Sequence, residues 1–147
     1  MLLILSLSSL ACLACVLLAV MSRRHVREHA LSSALFRMFA DASTTDEAVA
    51  STGVDASWLA LRICGLSPQE RIKKLAPEVQ ADVMELTDEI TRLGAKLVKK
   101  GLLAYFPVTF EAQGKYQKIS APKTLFILTD RSRPRVLRLR AEIARAM

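Results

Sequence analysis

The chain has 147 residues, enough for one ordinary domain, and residues 1–22 carry no charged side chain, so about 125 residues remain for a folded body. Hydrophobic residues make up 52% of the sequence and the mean hydropathy is +0.27, which excludes a disordered or low-complexity protein. No second charge-free stretch of spanning length exists, which excludes a polytopic membrane protein.

Residues 2–21 are apolar apart from Ser6, Ser8 and Ser9. As a helix they would rise roughly 30 Å, the thickness of a hydrocarbon core. Arg23, Arg24 and Arg27 follow, and no charged side chain precedes them. This bias predicts a single-pass anchor with its N-terminus outside and its C-terminal domain in the cytosol. A cleaved signal peptide would begin with a basic segment and end in small residues, whereas this run ends Ala19-Val20-Met21, so the uncut anchor is favoured. Ser9-Leu10-Ala11-Cys12 spells a lipoprotein cleavage site but also lacks the basic start. Cys12 and Cys15 have the spacing of metal and redox motifs, yet in an apolar helix they read as small packing residues. Cys64 stands alone, so no disulfide framework is expected.

Charge is segregated along the chain. Residues 1–37 hold four basic and one acidic side chain, residues 38–90 four and ten, and residues 91–147 thirteen and three. A domain built from the last two segments has faces of opposite sign, and its basic end should meet nucleic acid, anionic lipid or an acidic partner.

After the apolar run, Val26, Ala30, Ala34 and Met38 recur every four residues beside Leu31, Leu35, Phe36 and Phe39, which predicts an amphipathic helix over 23–40. Thr44-Thr45-Asp46-Glu47 has the spacing of a capping box and predicts a short helix closed by Thr52-Gly53. Asp55 caps a second through Trp58, Leu59, Leu61 and Ile63, ended by Gly65, and Ser67-Pro68-Gln69-Glu70 starts a third. Beyond Pro77, Val79, Val83, Leu86, Ile90, Leu93 and Leu97 are spaced 4, 3, 4, 3, 4, a seam along a helix that stops at Gly101. The seam is short for a coiled coil, so the core of the domain is its first claimant and pairing with a partner or a second copy comes after.

Residues 103–106, 108–111, 116–120 and 124–129 are short, aromatic or β-branched runs separated by Pro107, Gln113-Gly114 and Pro122, predicting two or three strands with a hairpin near Gly114. Pro134 opens a last helix rich in arginine. The expected fold is mainly α with a small β-hairpin, organised as an anchor (1–22), an amphipathic helix (23–40) and a compact, basic helical domain (41–147).

His25-Val26-Arg27-Glu28-His29 spells the inverted zinc-peptidase motif, but three arginines crowd it and these are the only histidines, so no third imidazole is at hand. Neither a nucleophile elbow nor a glycine-rich phosphate loop is present. The expectation is therefore binding without catalysis, metal or cofactor.

The short helices, the long helix ending Lys99-Lys100-Gly101-Leu102-Leu103, the hairpin and Leu128-Thr129-Asp130-Arg131 resemble a winged-helix domain over residues 77–133. The resemblance implies that Thr91, Arg92, Lys96, Lys99 and Lys100 face a nucleic-acid groove and its phosphates, with Lys115 and Lys118 on the wing. Residues 102–129 are long for a wing, and residues 44–64 offer another helix-turn-helix whose second helix carries only Arg62. Arg131, Arg133 and Arg135 extend the basic set. Two functions follow: an interaction or assembly subunit of a membrane complex, or a membrane-tethered nucleic-acid binder. Anionic lipid is the simplest counterpart of the basic half, at about 1 kcal/mol per basic residue near the surface.

Overall fold

The structure is a computed structural model that describes residues 2–42, 52–67, 71–113 and 118–147, with the side chains of residues 2–16, 42, 110–113 and 118–122 outside the description. It is mainly helical with a three-stranded antiparallel sheet. The elements run α1 (Leu2–Ala42), β1 (Gly53–Val54), α2 (Ala56–Ile63), a 3-10 turn (Ile72–Lys74), α3 (Pro77–Lys99), β2 (Leu103–Gln113), β3 (Lys118–Leu128) and α4 (Arg133–Ala146).

Two compact units divide the chain, Met1–Ser33 and Ala34–Met147. In the first, α1 is helical from Leu2, and its side chains from Leu17 to Ala30 are exposed, Val26 included. The amphipathic face expected over 23–40 therefore takes effect only in its second half. Among the described residues no helix is long and apolar enough to cross a membrane. The spanning segment expected over residues 2–21 is thus unsupported by the structure, and most of its side chains, Cys12 and Cys15 included, lie outside the described residues.

The second unit starts where burial starts. Leu35, Phe36 and Phe39 are fully buried, and Arg37 between them is exposed, the pattern of a helix with one face in a core. Asp55 precedes α2, and its carbonyl accepts the amides of Trp58 (3.1 Å) and Leu59 (3.3 Å). Leu59, Ala60 and Leu61 are buried, so α2 is core, as its Trp58-centred sequence suggests. Both α2 and α3 end in the same way: Gly65 (φ +74°) and Gly101 (φ +69°) take the left-handed conformation. The next amides, Leu66 and Leu102, then reach back five residues to the carbonyls of Leu61 (2.9 Å) and Leu97 (3.0 Å). The seam of α3 is consumed by this core: Val83, Ile90, Leu93 and Leu97 are buried, and only Val79 at its start is exposed.

The expected hairpin is longer than the sequence suggested and gains a third strand. β2 and β3 pair antiparallel over eleven residues each, from Leu103 opposite Leu128 to Gln113 opposite Lys118. Pro107 and Pro122 do not break them. β2 is an edge strand, and β1 reaches β3 only at Phe126 and Ile127, so at Pro122 β3 also has one side unpaired and the missing amide costs no ladder bond there. Gly53 and Val54 form β1 instead of closing a helix, because Gly53 lies against Leu125, whose Cδ1 would sit 2.7 Å from a Cβ at that position. The short helix expected from Thr44 falls on residues outside the described set, as do Pro68 to Glu70. The following segment holds only the 3-10 turn.

The sheet packs on α3. Phe126 lies against Gly94, and a Cβ there would be 2.1 Å from its Cζ. On its other face, Lys123 forms an ion pair with the buried Asp55 and sits 5.1 Å from the centre of the Trp58 ring, while the Ser57 hydroxyl donates to the same carboxylate. Gly94→Ala would gain about 1 kcal/mol of helix propensity but overpack Phe126 at about 1–3 kcal/mol, so a net loss of stability is expected in urea unfolding. Asp55→Ala should cost about 1–3 kcal/mol by leaving a half-buried lysine without its carboxylate, whereas Asp130→Ala, which removes an exposed ion pair to Arg133, should change stability by less than about 0.5 kcal/mol.

Candidate functional site

The exposed face of α3 changes sign halfway along. Glu78, Asp82, Glu85 and Asp88 are exposed in its first half, and Arg92, Lys96, Lys99 and Lys100 are exposed at its end and cap. The opposite face is fixed in the core by Val83, Ile90, Gly94 and Leu97, so the charged stripe has no freedom to rotate inward. Thr91, expected in a groove, is exposed, but its hydroxyl donates to the Thr87 carbonyl within the helix at 2.8 Å. Arg92 Nε likewise reaches the Asp88 carbonyl at 3.3 Å.

The C-terminal end of α3 is tied to the start of α4. Thr129 Oγ1 donates to the Gly101 carbonyl at 2.7 Å, and Ser132, buried, donates to the Thr129 carbonyl at 3.1 Å. This short turn brings Arg131 back onto α3, where its Nη1 donates to the Lys100 carbonyl at 3.3 Å. Of the basic residues singled out from the sequence, Lys100 and Arg131 are thus brought into direct contact. Arg133 is turned to Asp130, its Nη2 at 2.7 Å from Oδ1. Arg135 stacks its guanidinium 4.5 Å from the centre of the Phe36 ring. Lys115 lies outside the described residues, and Lys118 is placed at the start of β3 with its side chain outside the description.

Arg138 joins this set without having been singled out. Arg131, Arg135 and Arg138 line one open cleft of about 400 Å³ with Pro134, Leu139 and Glu142. Arg135 and Arg138 stand three apart on α4, a spacing present in the sequence, and Arg131 lies in the turn before that helix. The stacking of Arg135 on Phe36, a residue 99 positions earlier in the chain, was not readable from spacing.

Elsewhere the candidates stay apart. His25, Glu28 and His29 are exposed on α1, and among the described residues no group of three His, Cys, Asp or Glu side chains gathers as a metal site would. Cys64 is a free, exposed thiol at the end of α2. Tyr105 packs a tilted ring 5.7 Å from Phe126 and is half-exposed on the edge strand, as is Phe106. In comparison with known proteins, the chain matches no family model, no curated protein and no solved structure.

Proposed function

We propose that this chain is a single-pass membrane-anchored, non-catalytic binding protein that acts as an interaction or assembly subunit of a membrane complex. The observation that carries the reading is the sign reversal along the exposed face of α3. Like charges stand four apart at Glu78 and Asp82, at Glu85 and Glu89, at Arg92 and Lys96, and at Lys96 and Lys100. Each such pair disfavours the helix by about 0.2–0.5 kcal/mol. The helix dipole favours acid in the first turn and base in the last, but it fades before Glu85 and Arg92 in the middle. Asp88 and Arg92, also four apart, offset one of these pairs; the order of charge suits a partner surface with the opposite order, and an antiparallel second copy of α3 has that order.

The anchor rests on the charge-free run of residues 2–21 and on Arg23, Arg24 and Arg27 beyond it, all three exposed on α1. It leads us to expect that the full-length protein stays with the membrane pellet through alkaline carbonate extraction. Release into the supernatant would remove the anchor from the proposal.

A second reading has its own support. The order helix, strand, helix, helix, strand, strand, with sheet order β1-β3-β2, is similar to that of winged-helix domains, and Lys96, Lys99, Lys100 and Arg131 form a basic end beside the hairpin. Nucleic acid is then the partner. The carboxylates weigh against it, because the N-terminal half of a groove-entering helix meets the bases, and here that half presents Glu78, Asp82, Glu85 and Asp88.

Sedimentation of the full-length protein in non-ionic detergent separates the two readings. Glu85→Lys is expected to dissociate the complex, and adding Lys96→Glu to restore it where the partner is a second copy. A monomer with no co-purifying membrane partner, indifferent to Glu85→Lys, would sink the assembly reading. Under the nucleic-acid reading, about four phosphate contacts would make duplex-DNA binding fall on the order of 100-fold between 50 and 200 mM salt. Lys99→Glu or Lys115→Glu would weaken that binding further.

A further inference from the structure

We propose that the cleft on α4 lined by Arg131, Arg135 and Arg138 is a binding site for a phosphate group, carried either by a small soluble phosphate or by an anionic lipid headgroup. The inference goes beyond the assembly reading and does not depend on it, since it concerns arginines that the reading does not use.

Three guanidinium groups line one cleft against a single carboxylate, Glu142, so the site carries a net positive charge within a small volume. Two of the three are held by contacts of their own. Arg131 is fixed by its bond to the Lys100 carbonyl, and Arg135 by its stack on Phe36, which is fully buried and cannot move aside. Arginines restrained in this way lose less rotamer freedom when a ligand arrives. The third, Arg138, makes no ion pair among the described residues and lies within the same cleft.

The choice of residue points the same way. α4 contains five arginines and no lysine, whereas the basic end of α3 uses Lys96, Lys99 and Lys100. The planar guanidinium fork matches two oxygens of a phosphate at once, which a lysine ammonium cannot do. The backbone adds little here: the amides of Arg135 and Val136 are already turned to the Ser132 carbonyl at 3.1 and 3.4 Å, and Pro134 has no amide to offer. The site is therefore one of side chains, and it stands or falls with them.

Isothermal titration of the full-length protein in non-ionic detergent tests this with inorganic phosphate in one arm. In the other, mixed micelles doped with phosphatidylglycerol are compared with micelles doped with phosphatidylcholine. Arg138→Gln removes a side chain that makes no ion pair among the described residues and should weaken binding about tenfold or more. Arg145→Gln, an equal loss of charge at the far end of the same helix, should leave it within about twofold. Thermal melts unchanged from the parent protein establish that both variants fold. Binding of free phosphate identifies a soluble ligand. Binding of phosphatidylglycerol alone, with the same dependence on Arg138, identifies a headgroup. Equal weakening by Arg145→Gln, equal binding of both lipids without binding of phosphate, or no binding in either arm would overturn the proposal, the first by showing only diffuse attraction to a basic surface.

Discussion

The close approach of Phe126 to Gly94 is the contact on which the layout of the domain depends. Only a residue without a side chain lets the sheet lie this near the axis of α3, and the buried Phe126 ring takes the space a side chain at Gly94 would fill. Once Phe126 is seated, the register of the hairpin follows, because a slip of one residue would send the buried Leu128, Phe126 and Leu103 to the wrong face. The left-handed Gly101 then turns the chain directly from α3 into β2. The end of β3 returns beside that turn, which is why Thr129 can bond to Gly101 and Arg131 to Lys100. A packing choice at the middle of α3 thus determines where the basic residues of two distant segments meet.

The other face of the sheet is held by a polar device. β1 is two residues long, too short to define its own pairing, yet it is held between Gly53 on Leu125 and the Asp55 carboxylate on Lys123. Lys123 also lies over Trp58, so one side chain joins β3 to the strand and to the helix that follow each other in sequence. A buried carboxylate is expensive to desolvate, and what it returns is specificity of position for a strand that hydrophobic burial alone could not index. Because α2 begins right after Asp55, the same pair also sets the start of the helix that packs on α3.

Much of this was legible in the sequence, for reasons that differ by element. α3 was readable because its apolar residues keep a helical period over 23 positions between Pro77 and a glycine stop, and α4 because Pro134 marks its start. α2 followed from Asp55 and Gly65. β1 was not readable: Gly53-Val54 has no alternation to detect, and its strand character comes from Leu125 and Lys123, some seventy residues away. Pro107 and Pro122 misled in the opposite direction, since a proline breaks a strand only where its missing amide is needed, and pairing partners are a tertiary property. Of the candidate site, the identity of the basic residues was visible and their grouping was not. Arg133 spends its charge on Asp130, while Arg138, one of the arginines of the last helix but not among the candidate site residues, stands with Arg131 and Arg135.

The charges of α3 and α4 also divide the labour of the domain. The sequence predicts faces of opposite sign with a basic end, and the helix that would present that end to a polyanion carries four exposed carboxylates along its leading half. A duplex approaching that face would gain from Arg92, Lys96 and Lys99 and lose to Glu78, Asp82, Glu85 and Asp88. On the assembly proposal, the counterpart of that face is a surface patterned at the same spacing, whereas a phosphate backbone is uniform in sign. The cleft lined by Arg131, Arg135 and Arg138 has Glu142 as the one carboxylate in its lining, chemistry suited to a compact anion. On the two proposals made above, the charge distribution on α3 and α4, more than the order of the strands, bears on what the domain does.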